Sequence, residues 1–417
     1  MKKLITTIAI TTTLLAPGIV LAEGDGGQDV AQQLAEVQAK LKTQQQVMEA
    51  LSEVAAGVGG GSNFKLGNDA IDSFTIKGDL RVRYERRDRD NYGAGVYDDA
   101  LDRLRTRFRL GMTWKNKKEN WEVGAGLATG GDDGRSTNDT WSDTNYFKTG
   151  DIRLDYAYAT HKMGDAFSVT LGQQINPYYS SWILWDSDLR PFGLTAQFKK
   201  SGIFVTIGAD DVYQNGDDIA FVFAGQGGYE GKVGSSMNYK LAGAYYTFDS
   251  KLYSPTAGGN ISKRPNPDYN YTIGALTGEF GGESGPVKWK TRGEYWKNFG
   301  ADGKAGQGVL GGALDPKSED TGWNLGVEAK ISDFKLSYDY VSVGADSVNP
   351  YLKDSDFGNG IGVGVDVKGH RLGAGYNVTK NCSFDATAML YEPLTRSALV
   401  AKVEGVKLYM LDFNYKF

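Results

Sequence analysis

The 417-residue sequence contains little cysteine, histidine or proline, and it has no second long apolar run. Cys382 is the only cysteine, so an intramolecular disulfide framework is excluded. The two histidines, His161 and His370, have no evident serine partner for nucleophilic catalysis. Beyond the N-terminal leader, no stretch reaches the roughly 18 uninterrupted apolar residues that a membrane-spanning helix needs. We therefore expect neither a helical membrane protein nor an enzyme, and no motif for a cofactor or a metal is present.

Residues 1–22 have the pattern of a secretory signal peptide. Lys2 and Lys3 precede an apolar run, and the small residues Val20 and Ala22 occupy the minus-three and minus-one positions of a cleavage site after Ala22. The formal net charge of -5 is too small to indicate a nucleic-acid partner. The sequence thus predicts an exported protein.

The segment 28–56 has apolar residues at alternating spacings of three and four, from Leu34 and Val37 to Met48 and Leu51. These are heptad positions, so the segment is predicted to form a short helical coiled coil. An alternative is a helix that packs on, or plugs, the domain that follows it. The Gly-rich stretch 57–70 is predicted to be a linker.

From residue 71 to residue 417 the apolar residues recur at every second position. In FTIKGDLRVRYE, which begins at Phe74, the even positions are apolar and the odd positions are charged or polar. About 16 such strands are predicted, and long polar connections alternate with tight turns. The pattern predicts an all-β fold, a transmembrane antiparallel β-barrel. A soluble β-sandwich is the alternative, but it gives no reason to sort its loops by length.

Aromatic residues near the predicted short turns are typical of the interfacial girdles of such barrels. Trp114 and Trp121 flank one turn, whereas Tyr156, Tyr158 and Phe167 lie near another. We interpret all five as girdle residues that face the lipid headgroups.

The last strand, GVKLYMLDFNYKF, alternates aromatic and polar residues and ends on Phe417. A strand of this kind resembles the signal that is read by the barrel-assembly machinery of the outer membrane. Together with a signal peptide, it favours the outer membrane of a Gram-negative bacterium, with segment 28–56 in the periplasm.

Two segments carry a family resemblance: GQQINPYYSSWILWDSDLRPFG, from Gly172 to Gly193, and FTIKGDLRVRYE at the first strand. They resemble the putative porin family, which is related to phosphate-selective-type porins. The resemblance implies a 16-stranded barrel that forms a homotrimer in outer-membrane lipid and lets small hydrophilic solutes or ions cross.

The alternation of apolar and polar residues predicts that the first two strands place a row of arginines, which we call the arginine ladder, on the lumen side. Like charges opposite one another destabilise a sheet, so an acidic loop, permeating anions or local partners such as Asp79 and Glu85 must meet them. Asp186 and Asp188, in the loop between the fifth and sixth strands, are candidates if that loop folds into the lumen and narrows it. Otherwise the loop packs under the rim or at a subunit contact, and the arginines are a solvated face. The predicted pore-lining residues are Arg81, Arg83, Arg103, Arg105, Arg107, Arg109, Asp186 and Asp188.

The inward faces carry about 16 basic and about 10 acidic side chains. The predicted function is a water-filled porin channel for passive diffusion, with a mild preference for anions. The alternative is a barrel that conducts nothing and anchors partners, such as a surface electron-transfer or adhesion complex.

Overall fold

The computed structural model describes residues 62–64, 73–91, 100–131, 133–141, 146–147, 149–215, 218–248, 254–255, 261–262, 271–301, 308–309, 315–362, 364–395 and 403–417. The predicted signal peptide and coiled-coil segment lie outside these residues, as does the predicted linker apart from 62–64.

Within the described residues, sixteen long strands form the wall of a closed barrel. They are β1 (Ser73–Asn91), β2 (Leu101–Asn116), β3 (Trp121–Thr129), β4 (Ile152–Met163), β5 (Phe167–Gln173), β6 (Phe192–Lys200), β7 (Ile203–Asn215), β8 (Asp218–Val233), β9 (Met237–Phe248), β10 (Thr272–Ser284), β11 (Val287–Asn298), β12 (Thr321–Ile331), β13 (Phe334–Val343), β14 (Val367–Asn377), β15 (Cys382–Pro393) and β16 (Val403–Lys416).

Each strand pairs antiparallel with the next along the chain, and β16 pairs with β1 to close the barrel. At the closure Asp79 lies opposite Lys416, and the amide of Phe417 donates to the carbonyl of Gly78 at 3.0 Å. A Cβ at Gly78 would lie 2.5 Å from the Phe417 ring, so only glycine admits this ring. The predicted all-β, 16-stranded barrel is confirmed.

A few short elements accompany the wall. Ser62–Phe64 pairs with β1, Asp139–Thr140 pairs with β2, and Ser254–Pro255 pairs with Ile261–Ser262. Pro316–Glu319 form one turn of 3-10 helix. Within the described parts of the chain, no helix combines the length and the apolar character needed to cross a membrane.

The two rims of the barrel differ in their connections. At one rim the strands are joined by tight turns, several of which place a residue at positive φ, such as Gly164 at 68° and Gly234 at 64°. Glycine adopts this conformation without steric cost, which keeps these turns short. At the other rim the connections are long, except between β7 and β8, where only residues 216–217 intervene. The long-loop and short-turn rims match the pattern in the sequence.

The outer face is apolar along most of the wall. Exposed residues such as Val82, Leu104, Leu276 and Leu411 alternate with inward polar or small ones. In water this exposure would be unfavourable, whereas in a bilayer these side chains contact lipid. The predicted odd and even faces of β1 and β2 agree with this arrangement.

The assignment of Tyr156 and Tyr158 to an outer girdle is wrong. Both rings lie inside the barrel over Gly124 and Gly126, and the Tyr158 hydroxyl donates to Glu122 at 3.3 Å. A register shift between Gly126 and Leu127, where β3 pairs with β4, reverses the alternation along β4. Tyr156 is buried as a result.

The lumen is not polar throughout. Toward the long-loop rim, the inner wall of β8–β13 carries buried apolar side chains such as Val222, Tyr246, Ile273, Trp296 and Val341. Two long loops, 174–191 and 344–366, fold inward and cover this wall with their own apolar residues. The polar part of the interior therefore lies on the opposite side, along β13–β16, β1 and β2.

Candidate functional site

The predicted arginine ladder lies on the inner face of β1 and β2. Arg81 is directly opposite Arg107, and Arg83 is directly opposite Arg105. Cross-strand pairs of like charge destabilise a sheet unless carboxylates neutralise them.

Two carboxylates of β1 neutralise most of the ladder. Glu85, fully buried, accepts from Arg103 and also from Arg105 at 3.1 Å. Asp79 accepts from Arg107 at 3.0 Å and from Arg109 at 2.8 Å. The local partners expected from the sequence are therefore present.

Arg83 uses partners from distant parts of the chain. Its Nε and Nη2 donate to both oxygens of Asp412, on β16, at 2.7 and 2.9 Å. Its Nη1 also lies 3.5 Å from Asp356, in the loop 344–366. The guanidinium thus joins the closure of the barrel to an infolded loop.

The loop 174–191 crosses the barrel interior and is fixed to several walls. The side chain of Gln226, on β8, forms two 2.8 Å hydrogen bonds with the backbone of Tyr179. The amide of Ser181 donates to Glu294, on β11, at 3.1 Å. Apolar contacts add to these bonds, because Trp185 packs against Tyr246 with ring centroids 5.7 Å apart. The loop therefore narrows the lumen, as one reading of the sequence expects.

The second infolded loop, 344–366, was missed by sequence reasoning. Its signal is a repeated tripeptide, because Asp354-Ser355-Asp356 has the same residues as Asp186-Ser187-Asp188. In both copies the first aspartate accepts a hydrogen bond from the amide of the second, at 3.1 and 2.9 Å. The repeat places two similar acidic turns side by side.

Backbone hydrogen bonds join the two loops. The amide of Asp186 donates to Leu352 at 2.7 Å, and the amide of Asp354 donates to Ile183 at 3.1 Å. The amide of Ser355 donates to the Asp186 carboxylate at 3.0 Å. The loops therefore form one structure inside the barrel, which we call the loop pair.

A polar cavity of about 350 Å³ lies between the loop pair and the strands β13–β16, β1 and β2. Among the described residues, its charged lining has six basic and six acidic side chains, so the formal sum is zero. The basic ones are Arg81, Arg83, Arg107, Arg135, Lys335 and Arg371, and the acidic ones are Asp186, Asp188, Asp354, Asp356, Asp385 and Asp412.

Three buried groups of the loop pair have shifted pKa values. Burial, reinforced by Asp354, raises the pKa of Asp186 to about 7. Burial and the neighbouring Asp356 raise the pKa of Asp354 to about 6, whereas burial lowers the pKa of Lys353 to about 8. The charge of the cavity lining therefore changes near neutral pH.

The predicted site residues all lie inside the barrel, but their roles in the network differ. Asp188 lies 3.6 Å from Arg109, so it faces the ladder as expected. Asp186 lines the same cavity but accepts from the amides of Asp188 and Ser355. Asp356, which the sequence reasoning did not select, provides the second contact between the loop pair and the ladder.

The remaining candidates for other chemistry lie elsewhere. His161 is next to Trp121 near the short-turn rim, with ring centroids 4.6 Å apart. His370 is on the outer face and bonds the hydroxyl of Tyr338 at 2.9 Å. Across the described residues, no cluster of three or more histidine, cysteine or acidic side chains is arranged to hold a metal ion.

Residues 95–257 match the family model described as "Putative porin". This confirms the resemblance to the putative porin family. The matched range includes the segment from Gly172 to Gly193, which carries one of the two quoted motifs, whereas the motif in β1 lies before the match. The family and the barrel together indicate the outer membrane of a Gram-negative bacterium.

Two solved porin structures have a similar fold. OprB of Pseudomonas putida, determined at high pH, shares 12% identity with a TM-score of 0.55, over 82% of this chain and 94% of that chain. OmpF of Salmonella typhi, in complex with daunomycin, shares 13% identity with a TM-score of 0.51, over 85% of this chain and 100% of that chain. None of the curated proteins matches this chain significantly. At these identities the structural likeness establishes the porin fold.

Proposed function

We propose that this chain forms a water-filled channel through which small hydrophilic solutes and ions diffuse passively across the outer membrane. The observation that supports this proposal most directly is the polar cavity between the loop pair and the arginine ladder. This cavity lies inside a closed barrel of the porin fold. A scaffold barrel would have no need for buried, opposed rows of charge at one level of its lumen, because such groups are costly to desolvate.

We expect the charged side chains that line this narrow part of the lumen to select among solutes. A row of guanidinium groups faces carboxylates of the loop pair, so a permeating ion crosses a transverse field. The preference is mildly for anions, because the acidic half of the lining includes two groups whose pKa values lie near neutrality, Asp186 and Asp354.

The proposal includes the assembly of the protein. The family resemblance favours a homotrimer in outer-membrane lipid, with the segment 28–56 in the periplasm, where its heptads would join the subunits. The alternating strand that ends on Phe417 is the segment that the barrel-assembly machinery would bind.

A liposome-swelling assay tests the diffusion channel. Vesicles that contain the purified full-length protein should swell in isotonic solutions of small sugars and amino acids, and the rate should fall as solute size increases. Protein-free vesicles are the control. If swelling is no faster than in the control for every solute, the chain is a non-conducting barrel, and the scaffold function is favoured.

A further inference from the structure

The ladder and its partners carry unequal charge. Among the described residues, five of the six ladder arginines form ion pairs, and these pairs involve five carboxylates, so one arginine remains without an acidic partner. The five carboxylates are Asp79, Glu85, Asp188, Asp356 and Asp412.

Arg81 is the arginine that this network leaves without a carboxylate. Within the described structure its guanidinium makes a single hydrogen bond, from Nη2 to the neutral side-chain oxygen of Asn138. Its Nε is shielded from water and has no partner. The nearby acids do not fill this role, because Asp412 and Asp356 contact Arg83.

The surroundings of Arg81 favour an anion. It lies directly opposite Arg107 on β2, and both line the polar cavity. The hydroxyl-bearing Ser136 and Ser187 line the same space and could donate to a bound oxygen. A partly desolvated cation beside a like charge is unfavourable until an anion neutralises it.

We propose that Arg81 is the centre of a subsite for the oxyanion group of a permeating solute, either a carboxylate or a phosphate. The planar guanidinium offers parallel N–H donors that match two oxygens of such a group, which chloride cannot match. The subsite rests on the proposed channel function and gives the anion preference a second source, besides the acidic groups of the loop pair. It holds one anionic group, because Arg81 is the one ladder arginine that contacts no carboxylate within the described structure.

Single-channel current in chloride, measured at constant ionic strength with increasing acetate or phosphate, tests the subsite. In the natural protein the added oxyanion should reduce the chloride current in a saturable manner. Arg81→Gln should raise the half-blocking concentration about tenfold or more, the loss expected for one charge-assisted hydrogen bond. Arg81→Lys should restore the block only partly, because an ammonium group lacks the paired donors.

Arg86→Gln is the matched control. It removes the same charge from the same strand, but Arg86 is on the outer face and pairs with Asp88 and Asp102. Acetate and phosphate should block the chloride current of this variant at the same concentrations as in the natural protein. Block by acetate alone would assign the subsite to carboxylates, and block by phosphate alone would assign it to phosphates. Equal half-blocking concentrations in the natural protein and Arg81→Gln would overturn the proposal.

A second measurement separates the subsite from the channel function. If the natural protein conducts no current, the channel proposal fails, and the subsite is tested by thermal unfolding of the detergent-solubilised barrel. Phosphate or acetate should then raise the unfolding midpoint of the natural protein and leave that of Arg81→Gln unchanged. Equal shifts, or no shift in either protein, would overturn the subsite as well.

Discussion

The carboxylate of Glu85 stabilises the part of the arginine ladder that contains Arg83, Arg103 and Arg105. It is fully buried, it accepts from Arg103 and Arg105, and it lies 3.9 Å from Arg83. Removing one charge from a buried network leaves its partners uncompensated, which costs more than the network gains in stability when complete.

Glu85→Gln should therefore lower the free energy of unfolding by about 3 kcal/mol. The measurement is the midpoint of thermal unfolding in detergent, followed by the shift between folded and unfolded mobility on a gel. Asp102→Asn is the control, because its ion pair with Arg86 is exposed and should change the stability by less than about 1 kcal/mol. Equal midpoints for the two variants would show that Glu85 does not stabilise the ladder.

The anion preference should increase as the pH falls from 8 to 5. Asp186 and Asp354 have pKa values raised to about 7 and about 6, so both are ionised at pH 8 and protonated at pH 5. Protonation removes two negative charges from a lining whose formal sum is zero, which leaves a net charge of +2. Reversal potentials across a salt gradient at the two pH values measure this change.

Asp186→Asn should remove part of this pH dependence and show, at pH 8, a larger anion preference than the natural protein. Asp333→Asn, at a short turn, is the control and should keep the natural profile. A selectivity that is the same at pH 5 and pH 8 in the natural protein would contradict the assignment.

Individual site residues could be predicted only where alternation determines their direction. The inward direction of the six ladder arginines follows from the period of two, and Asp79 and Glu85 are close enough in the chain to be expected as partners. The pairing of Arg83 with Asp412 joins residues 329 positions apart, and no local pattern in the sequence specifies it.

At the level of structural elements, loop 174–191 is held by an aromatic cluster inside the barrel. Trp185 is 3% exposed, and its ring lies 5.8 Å from that of Tyr178 and 5.7 Å from that of Tyr246. Because the cluster fixes the loop to the apolar wall, it also fixes the width of the remaining polar passage.

Trp185→Ala should raise the single-channel conductance and weaken the ion selectivity. Truncation of a buried tryptophan leaves a cavity that costs about 3–5 kcal/mol, and the loosened loop no longer holds Asp186 and Asp188 near the ladder. Trp121→Ala removes the same side chain from the outer face and should leave conductance unchanged. A smaller or unchanged conductance in Trp185→Ala would mean that the loop does not set the width.

The positions of the strands could be predicted from the sequence, but the positions of the long loops in the folded barrel could not. A period of two and turn residues locate all sixteen strands, but alternation does not reveal that the inner wall of β8–β13 is apolar because loops cover it. Alternation also does not indicate the register shift in β4, so it predicts the wrong face for Tyr156 and Tyr158.

At the level of the whole molecule, the proposed trimer and its N-terminal segment form one testable unit. Deletion of residues 28–56 should lower the stability of the trimer, because the heptad seam would no longer join the subunits. It should not close the channel, because the barrel closes through β1 and β16. Native mass spectrometry in detergent measures the subunit number, and an unchanged trimer at every detergent concentration would remove the assembly role.

The architecture of the whole molecule can be predicted from the sequence because several independent sequence features indicate the same fold. The predicted signal peptide, the alternation, the sorted connections and the aromatic last strand together predict an outer-membrane barrel, and the porin fold agrees. The selectivity could not be read in this way, because it depends on which lumen charges pair, and pairing is fixed by the folded loop pair.

The most direct test of the central claim is the ionic current through the purified protein in a planar lipid bilayer, with a salt gradient across it. A trimeric channel with an anion preference should give stable conductance steps, grouped in threes, and a reversal potential on the anion-selective side at pH 5. Absence of conductance steps, or a cation-selective reversal potential at pH 5, would contradict it.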